Sequence, residues 1–344
     1  MRRINFLLIS ALFFSVVLNL RQQTAAQTTD ELVAAAKREG LLEFHAPSSL
    51  GPKAVQELNT AFNKAYNLNI KLSYNPSSSF TADLGKMISR MATGMTPEWD
   101  VTVLADNQHA TLGSKGLHQK FDYKLLGVEP KTIQHANGSV VMVHGFVLPA
   151  YNSKVLASRD APKSWEDLLQ ARWKGGKLGV SSATQLLARL ATGPWGEKKT
   201  TEFIRSLSKQ DPFLGRLGEL YTRLQLGEIV VAVDLTDQYI HIAKQSGAPI
   251  TFSESVDPVI ALGYNAAVLK GAAHPNVGHL FVAFLTTLPA QHIWERYMGQ
   301  TSAFVAGTKA AGFVKGRQAL FLEEKDTPLV GKLADDYVKI LGFQ

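Results

Sequence analysis

Residues 140–176 read VVMVHGFVLPAYNSKVLASRDAPKSWEDLLQARWKGG, and the rest of the chain is organised around this stretch. Its first part, 140–148, is an apolar run rich in β-branched residues, the pattern of a buried strand. The polar connector Tyr151-Asn152 and then Ala161-Pro162 follow. Ser164 stands where a helix N-cap belongs, and Glu166 and Asp167 suit the positive helix end behind it. Trp165, Leu168 and Leu169 supply its apolar face. Trp173-Lys174-Gly175-Gly176 closes the unit, and a new strand is expected at 178–181. The chain finishes one α/β lobe here, crosses over and begins another.

Working outward, 344 residues suffice for two lobes of ordinary domain size. Hydrophobic residues at 45% and charged residues at 19% mark a globular chain. Arg2-Arg3 precedes an apolar stretch at 4–20, and Thr24-Ala25-Ala26 offers the small residues a signal peptidase accepts. Residues 1–26 are therefore expected to be an export signal, cleaved before Gln27. Asn5, Ser10, Ser15 and Asn19 interrupt the apolar stretch and argue against a lasting membrane anchor. The chain has no cysteine, which excludes a lipidated N-terminal cysteine, disulfides and thiolate metal sites, and suits a bacterial periplasm. Net charge is +7; without Arg2, Arg3 and Arg21 it falls to near +4, 33 basic against 29 acidic residues. No basic cluster is interleaved with aromatics, so nucleic acid is not an expected partner.

On the N-terminal side of the crossover, strands and helices alternate. Thr28 and Glu31 have capping-box spacing ahead of a helix that Gly40 ends. Strands are expected at 41–45, 69–74 and 100–104, with helices at 53–66 and 80–92, which argues for a parallel sheet covered by helices. In such sheets ligands sit beyond the C-terminal strand ends, where loops enter helix N-termini. Loops 45–49, 75–79 and 105–107 fall there and nominate His45, Ser48, Ser78, Ser79 and Asp106. Any one of these serines, taken singly, reads first as a helix cap, and it is their recurrence at strand ends that nominates them.

The C-terminal side repeats the pattern. A strand at 178–181 leads through a polar turn to a helix ending near Ala191. Helices are expected at 200–208 and 214–226, a strong strand at 229–234, a helix to Ser246 and a short strand at 249–252. The two turns add Ser182, Thr184, Asp237 and Tyr239 to the ligand-facing set. A second apolar run, PVIALGY at 258–264, is expected to pair with the strand at 140–148. Two connections of this kind permit hinge bending and restrict twist. Helices at 278–288 and 333–341 complete the chain. No HExxH, glycine-rich phosphate loop or GxSxG elbow occurs. Of the nine histidines, His274, His279 and His292 read as structural or surface residues.

Residues 161–169, APKSWEDLL, with Trp173-Lys174-Gly175, resemble the lobe-crossing motif of periplasmic solute-binding proteins of ABC transporters, in the subgroup that includes ferric-iron binders. LVAAAKREG at 32–40, residues 100–106, Tyr151-Asn152-Ser153-Lys154 and VLKGAAHPNVGHLFVAFL at 268–285 are similar to other parts of that family, in the same order. The resemblance implies an α/β, two-lobed periplasmic-binding-protein (type II) fold, each lobe a mostly parallel sheet flanked by helices, with two hinge strands. Residues 27–143 and 262–306 would form the first lobe, and 144–261 and 307–344 the second. It further implies a periplasmic monomer without cofactor, metal or enzymatic activity. Such a protein closes on a small-molecule ligand and delivers it to an inner-membrane ABC permease, with no membrane insertion after signal cleavage.

Ferric binders of the subgroup use adjacent tyrosines after the strand corresponding to 229–234, often with a histidine after the first strand. Here 234–239 reads DLTDQY, with one tyrosine, while His45 does follow the first strand. The mixed donors and acceptors favour a small organic anion. The alternatives are a ferric-iron or polyamine-type cation binder of the same fold, a periplasmic sensor module, and an exported hydrolase.

Overall fold

A computed structural model describes residues 28–343. The signal reading at 1–26 lies outside the described residues. Among the described residues eleven strands join in one sheet: β1 (Leu41–Pro47), β2 (Lys71–Ser77), β3 (Val101–Ala105), β4 (Ile133–Gln134), β5 (Ser139–Asn152), β6 (Leu178–Ser181), β7 (Phe213–Gly215), β8 (Val231–Thr236), β9 (Ile250–Phe252), β10 (Val259–Val268) and β11 (Ala319–Leu320). Its main path runs β2-β1-β3-β10-β5-β8-β6-β7. β1 pairs in parallel with β2 and β3, and β6 with β7 and β8. Between these two parallel halves, β10 and β5 run antiparallel to each other and to their outer neighbours. The result is a two-lobed α/β fold whose lobes share a central pair of long strands.

That pair explains the apolar run. Every residue of β5 is buried, so both of its faces must be apolar and no polar alternation can appear. The register runs from Val147 opposite Ile260 to Val140 opposite Ala266, with an irregularity between Tyr264 and Asn265. Each strand begins in one core and ends in the other. Val140, Met142 and Val143 pack with Phe44, Phe62, Phe281 and Trp294 in the first lobe. Phe146, Val147 and Leu148 pack with Trp165, Leu187, Val233 and Tyr337 in the second. β10 makes the opposite transit, from Val259–Leu262 in the second core to Ala266 and Val268 in the first. The chain crosses a third time after the helix Leu288–Met298, since Ala310, Leu320 and Leu322 belong to the second core.

Two expected elements differ. The helix expected at Ser164 is a pair of short 3-10 turns, Glu166–Leu169 and Ala171–Trp173. The Asp167 carbonyl accepts from Gln170 N–H at 3.2 Å and from the Trp173 indole at 2.9 Å, which draws the chain tighter than an α-helix. Ser164 still accepts from Asp167 N–H, at 3.2 Å. The helix expected over 214–226 is split. Residues of β7 pair with β6, and the helix Leu217–Leu226 starts only where Glu219 accepts from Arg216 N–H at 2.7 Å. His279 stacks on Phe121 with centroids 4.5 Å apart, and His274 Nδ1 lies 2.8 Å from Asp100 Oδ2. Both serve packing.

The indole of buried Trp165 donates to the Pro258 carbonyl at 2.9 Å, tying the crossover turn to the start of β10. Trp165→Phe keeps an aromatic ring of smaller volume and strands that carbonyl, for a loss of at least about 1–3 kcal/mol. Trp165→Ala should lose about 3–5 kcal/mol. Urea denaturation measures both; a Phe variant as stable as the parent would show that the bond is not needed.

Candidate functional site

The C-terminal strand ends of both lobes face each other across β5 and β10. In the first lobe, β1 enters the turn Ser48–Leu50, and β2 enters the helix Phe80–Ala92, which Ser79 caps by accepting from Ala82 N–H at 3.4 Å. β3 enters the helix Asp106–Ser114. In the second lobe, β6 leads into the turn at Ser182, and β8 into the helix Asp237–Ser246, whose N-cap Thr236 makes no side-chain cap bond. The two sides approach where Gln238 Nε2 lies 3.5 Å from Ser49 Oγ. Phe80 and Tyr264 meet edge to face with centroids 6.4 Å apart.

The floor between them is polar. Gln300 donates to Asp237 Oδ1 at 3.1 Å. A Cβ on Gly145 would lie 2.7 Å from the Gln300 nitrogen and 3.1 Å from that same carboxyl oxygen, so glycine is what lets these groups rest on β5. Burial pushes the Asp237 carboxyl up to about 7, against the pull of the Gln300 hydrogen bond. The half-buried Tyr264 phenol is pushed up to about 12, first by burial and then by the Asp237 charge, and stays a neutral donor.

Beside this floor a buried ion pair joins the lobes. Arg189, 1% exposed, grips Asp106 with two parallel bonds, Nη1 to Oδ2 at 2.8 Å and Nη2 to Oδ1 at 2.5 Å. Its Nη1 also donates to the Ala261 carbonyl at 2.9 Å, while Asp106 accepts from Gly263 N–H at 2.9 Å. A second-lobe cation and a first-lobe anion thus meet on the middle of β10, in the bidentate geometry that makes such pairs strong.

The residues nominated from sequence divide into two groups, with Tyr239 apart from both. Ser48, Ser78 and Ser182 are exposed, Ser79 is exposed and caps its helix, and Asp237 is half-buried on the floor. His45, Asp106 and Thr184 are buried with their polar atoms committed to protein partners, so they support the site and do not face it. His45 stacks on Trp99 with centroids 3.9 Å apart and bonds Thr102 through Nδ1 at 2.8 Å and Asp83 through Nε2 at 3.2 Å. Burial lowers its pKa despite Asp83. Thr184 donates to the Ala334 carbonyl at 2.9 Å, pinning the C-terminal helix Thr327–Leu341. Tyr239 lies against Tyr221 with centroids 5.3 Å apart, and burial raises its pKa. Asp234 is held by Ser181 N–H at 2.9 Å and by the Ser181 hydroxyl. Sequence reasoning missed Arg189, Tyr264 and Gln300. For Tyr264 a signal existed, because it is the first polar-tipped residue to end the PVIALGY run. Among the described residues no group of three or more His, Asp or Glu side chains is placed to hold a metal ion.

Arg189→Met leaves Asp106 buried without its counter-charge and should cost about 3–5 kcal/mol. Adding Asp106→Leu should restore at least half of that loss; a double variant no better than the single one would mean the two residues do not act as a pair. The Asp237 carboxyl makes a second prediction. Its folded value lies above the ordinary 3.8, so the proton favours the fold. That contribution is whole below about pH 4, shrinks as pH rises and is gone above about pH 7. Asp237→Asn should therefore flatten part of the fall in urea midpoint across this window, and an unchanged slope would refute the raised value.

Comparison with known proteins gives a consistent picture. A family described as bacterial extracellular solute-binding protein matches residues 46–297. An uncharacterized protein of Haemophilus influenzae is 29% identical over 177 residues, 48% of this chain, and the chain spans about half (50%) of that relative's length. The structure of iron-bound HitA from Pseudomonas aeruginosa is similar with a TM-score of 0.69 at 18% identity, over 88% of this chain and 99% of that one. AfuA from Actinobacillus pleuropneumoniae, a periplasmic binding protein with exogenous fructose-6-phosphate bound, has a TM-score of 0.66 at 17% identity, over 89% and 99%. These likenesses show the type II periplasmic-binding-protein fold, and since the family match spans most of the sequence, the chain belongs to the bacterial extracellular solute-binding protein family.

Proposed function

We propose that the protein is the periplasmic substrate-binding component of an ABC importer, closing by hinge motion on a small organic anion and delivering it to an inner-membrane permease. The observation that carries this reading is the meeting of strand-end loops from both lobes over the half-buried floor of Tyr264 and Asp237. Closure is favoured when a ligand bonds to both sides at once, because the open form offers it only one. Residues 1–26 are the cleaved signal, 27–143 and 262–306 the first lobe, and 144–261 and 307–344 the second. The changeover between cores, from Val143 to Phe146 in β5 and from Leu262 to Ala266 in β10, supports that division. The mature chain acts as a monomer and turns over no substrate.

The ligand class follows from the groups at the cleft. Ser48, Ser78 and Ser182 present free-facing hydroxyls, and Gln238 and Tyr264 add donors, a set that suits an oxygen-rich anion. The sugar phosphate in the A. pleuropneumoniae structure is a precedent for such a ligand on this fold. Ferric iron, the precedent of the P. aeruginosa structure, is the alternative. It is disfavoured because Tyr239, the one tyrosine in the relevant turn, lies on Tyr221 and burial holds its phenol protonated.

A thermal-shift screen of organic acids, phosphate esters, polyamines and ferric citrate tests this reading. An acid or phosphate ester present at about a thousand times its Kd should stabilise the protein by about 4 kcal/mol. Ser78→Ala and Tyr264→Phe should each weaken binding by about tenfold. Small-angle scattering should report a more compact molecule with ligand. Hydrolysis of an ester panel, abolished by a cleft Ser→Ala change, would overturn the binding reading. A coloured ferric complex lost in Tyr239→Phe would overturn the preference for an anion. A histidine-kinase gene beside this one, in place of a permease, would turn the assignment to sensing.

A further inference from the structure

A pocket opens between the helix Asp237–Ser246 and the segment that follows Met298. Phe146, Ile240, Phe252 and Phe313 line it, with the Phe146 and Phe313 rings 4.7 Å apart. Lys244 and Lys309, both exposed, stand at the same pocket, as does the half-buried His241. Its acids are Glu254, which is exposed, and Asp237, whose Oδ1 already accepts from Gln300.

We infer that this pocket is a second small-molecule site, beside the cleft and sharing Asp237 and Gln300 with its floor, and that it takes a carboxylate with a compact aromatic body. An apolar wall with a few convergent charges is the chemistry of a small-ligand pocket. Two lysines stand against Glu254 and Asp237. Since burial raises the Asp237 carboxyl to about 7, the balance is positive whenever that carboxyl is protonated, which sets the charge of the occupant as negative. Each ammonium is a point charge on a flexible stem, able to follow a carboxylate whose position the aromatic walls fix. Three phenylalanines favour a flat ring, which gains stacking and edge contacts beyond its buried area.

The pocket also spans both lobes. Gly299, Gln300 and Thr301 follow a helix packed in the first core, and the Thr301 carbonyl accepts from His144 N–H of β5 at 2.9 Å. Ile240 and Phe252 belong to the second core, and Phe313 packs against it. A ring seated there touches both.

Titration of the protein with benzoate, followed by calorimetry, tests the site, with benzyl alcohol as the neutral counterpart. Benzoate should bind at one saturable site, about tenfold or more tighter than benzyl alcohol. Phe313→Ala, and the double variant Lys244→Ala with Lys309→Ala, should each weaken it by about tenfold, whereas Ser78→Ala and Tyr264→Phe should change it by less than about twofold. Should Phe313→Ala fail to fold by circular dichroism, the two exposed lysines carry the test. Binding that does not saturate, or that survives the lysine changes, overturns the proposal. Loss of binding in Ser78→Ala or Tyr264→Phe overturns it too, by placing benzoate in the cleft, and leaves the cleft reading intact.

Discussion

The structure depends on the antiparallel pairing of β5 with β10. Both strands are almost wholly buried, so each backbone N–H and C=O must find its partner within the protein, and the neighbouring strand supplies it. Because each strand starts in one core and ends in the other, the ladder between them cannot be opened without exposing both lobes. The lobes are therefore inseparable, joined at the crossing by these two strands and by the chain that bridges to β5 through Thr301 after Met298. Irregular register at Tyr264/Asn265 in β10 and at Leu148/Ala150 in β5 marks where the strands twist most, close to the level at which the cores change over.

Polar chemistry is concentrated at that same level. Gly145 admits Gln300 and Asp237 to one face of β5, and Gly263 lends its N–H to Asp106 on β10. The absence of side chains at these two places on the central strands makes room for an acid from each lobe. The two acids are then treated differently. Asp106 meets a guanidinium in bidentate geometry, two charges satisfied together. Asp237 meets a neutral amide, and burial raises its pKa towards neutrality. One acid fixes the geometry between the lobes, and the other is left free to respond to what arrives beside it.

Much of the fold was legible in the sequence because it rests on patterns a sequence carries directly. The apolar runs at 140–148 and 258–264 mark strands buried on both faces, and alternating strands and helices mark the two parallel halves. The misread elements failed for tertiary reasons. Asp167 gives its carbonyl to the Trp173 indole, and β7 forms because β6 offers it an edge. Strand-end loops nominated the candidate site region, but strand-end position does not say which way a side chain turns. His45 and Thr184 turn inward to partners that sequence spacing cannot reveal, Thr102 with Asp83 and Ala334. Arg189 was hidden for the opposite reason. A lone arginine in a helical stretch reads as a solvated surface residue until Asp106, 83 positions away, is found in its grip.

The cleft's charge preference is harder to read from composition because it is carried by a proton. Serine, glutamine and tyrosine groups accept or donate with little bias, and the Arg189–Asp106 pair is internally neutral. Asp237 therefore sets the sign. With its carboxyl pushed up to about 7, the floor of Tyr264, Gln300 and Asp237 is neutral when Asp237 is protonated and negative when it is not. An anion seated beside it raises that value further and takes up a proton, whereas a cation lowers it and expels one. Ligand charge and proton exchange are thus locked together at one residue. A neutral Asp237 turns from acceptor into hydrogen-bond donor, so the same side chain that would hold a cation as a carboxylate can serve an anion as an acid.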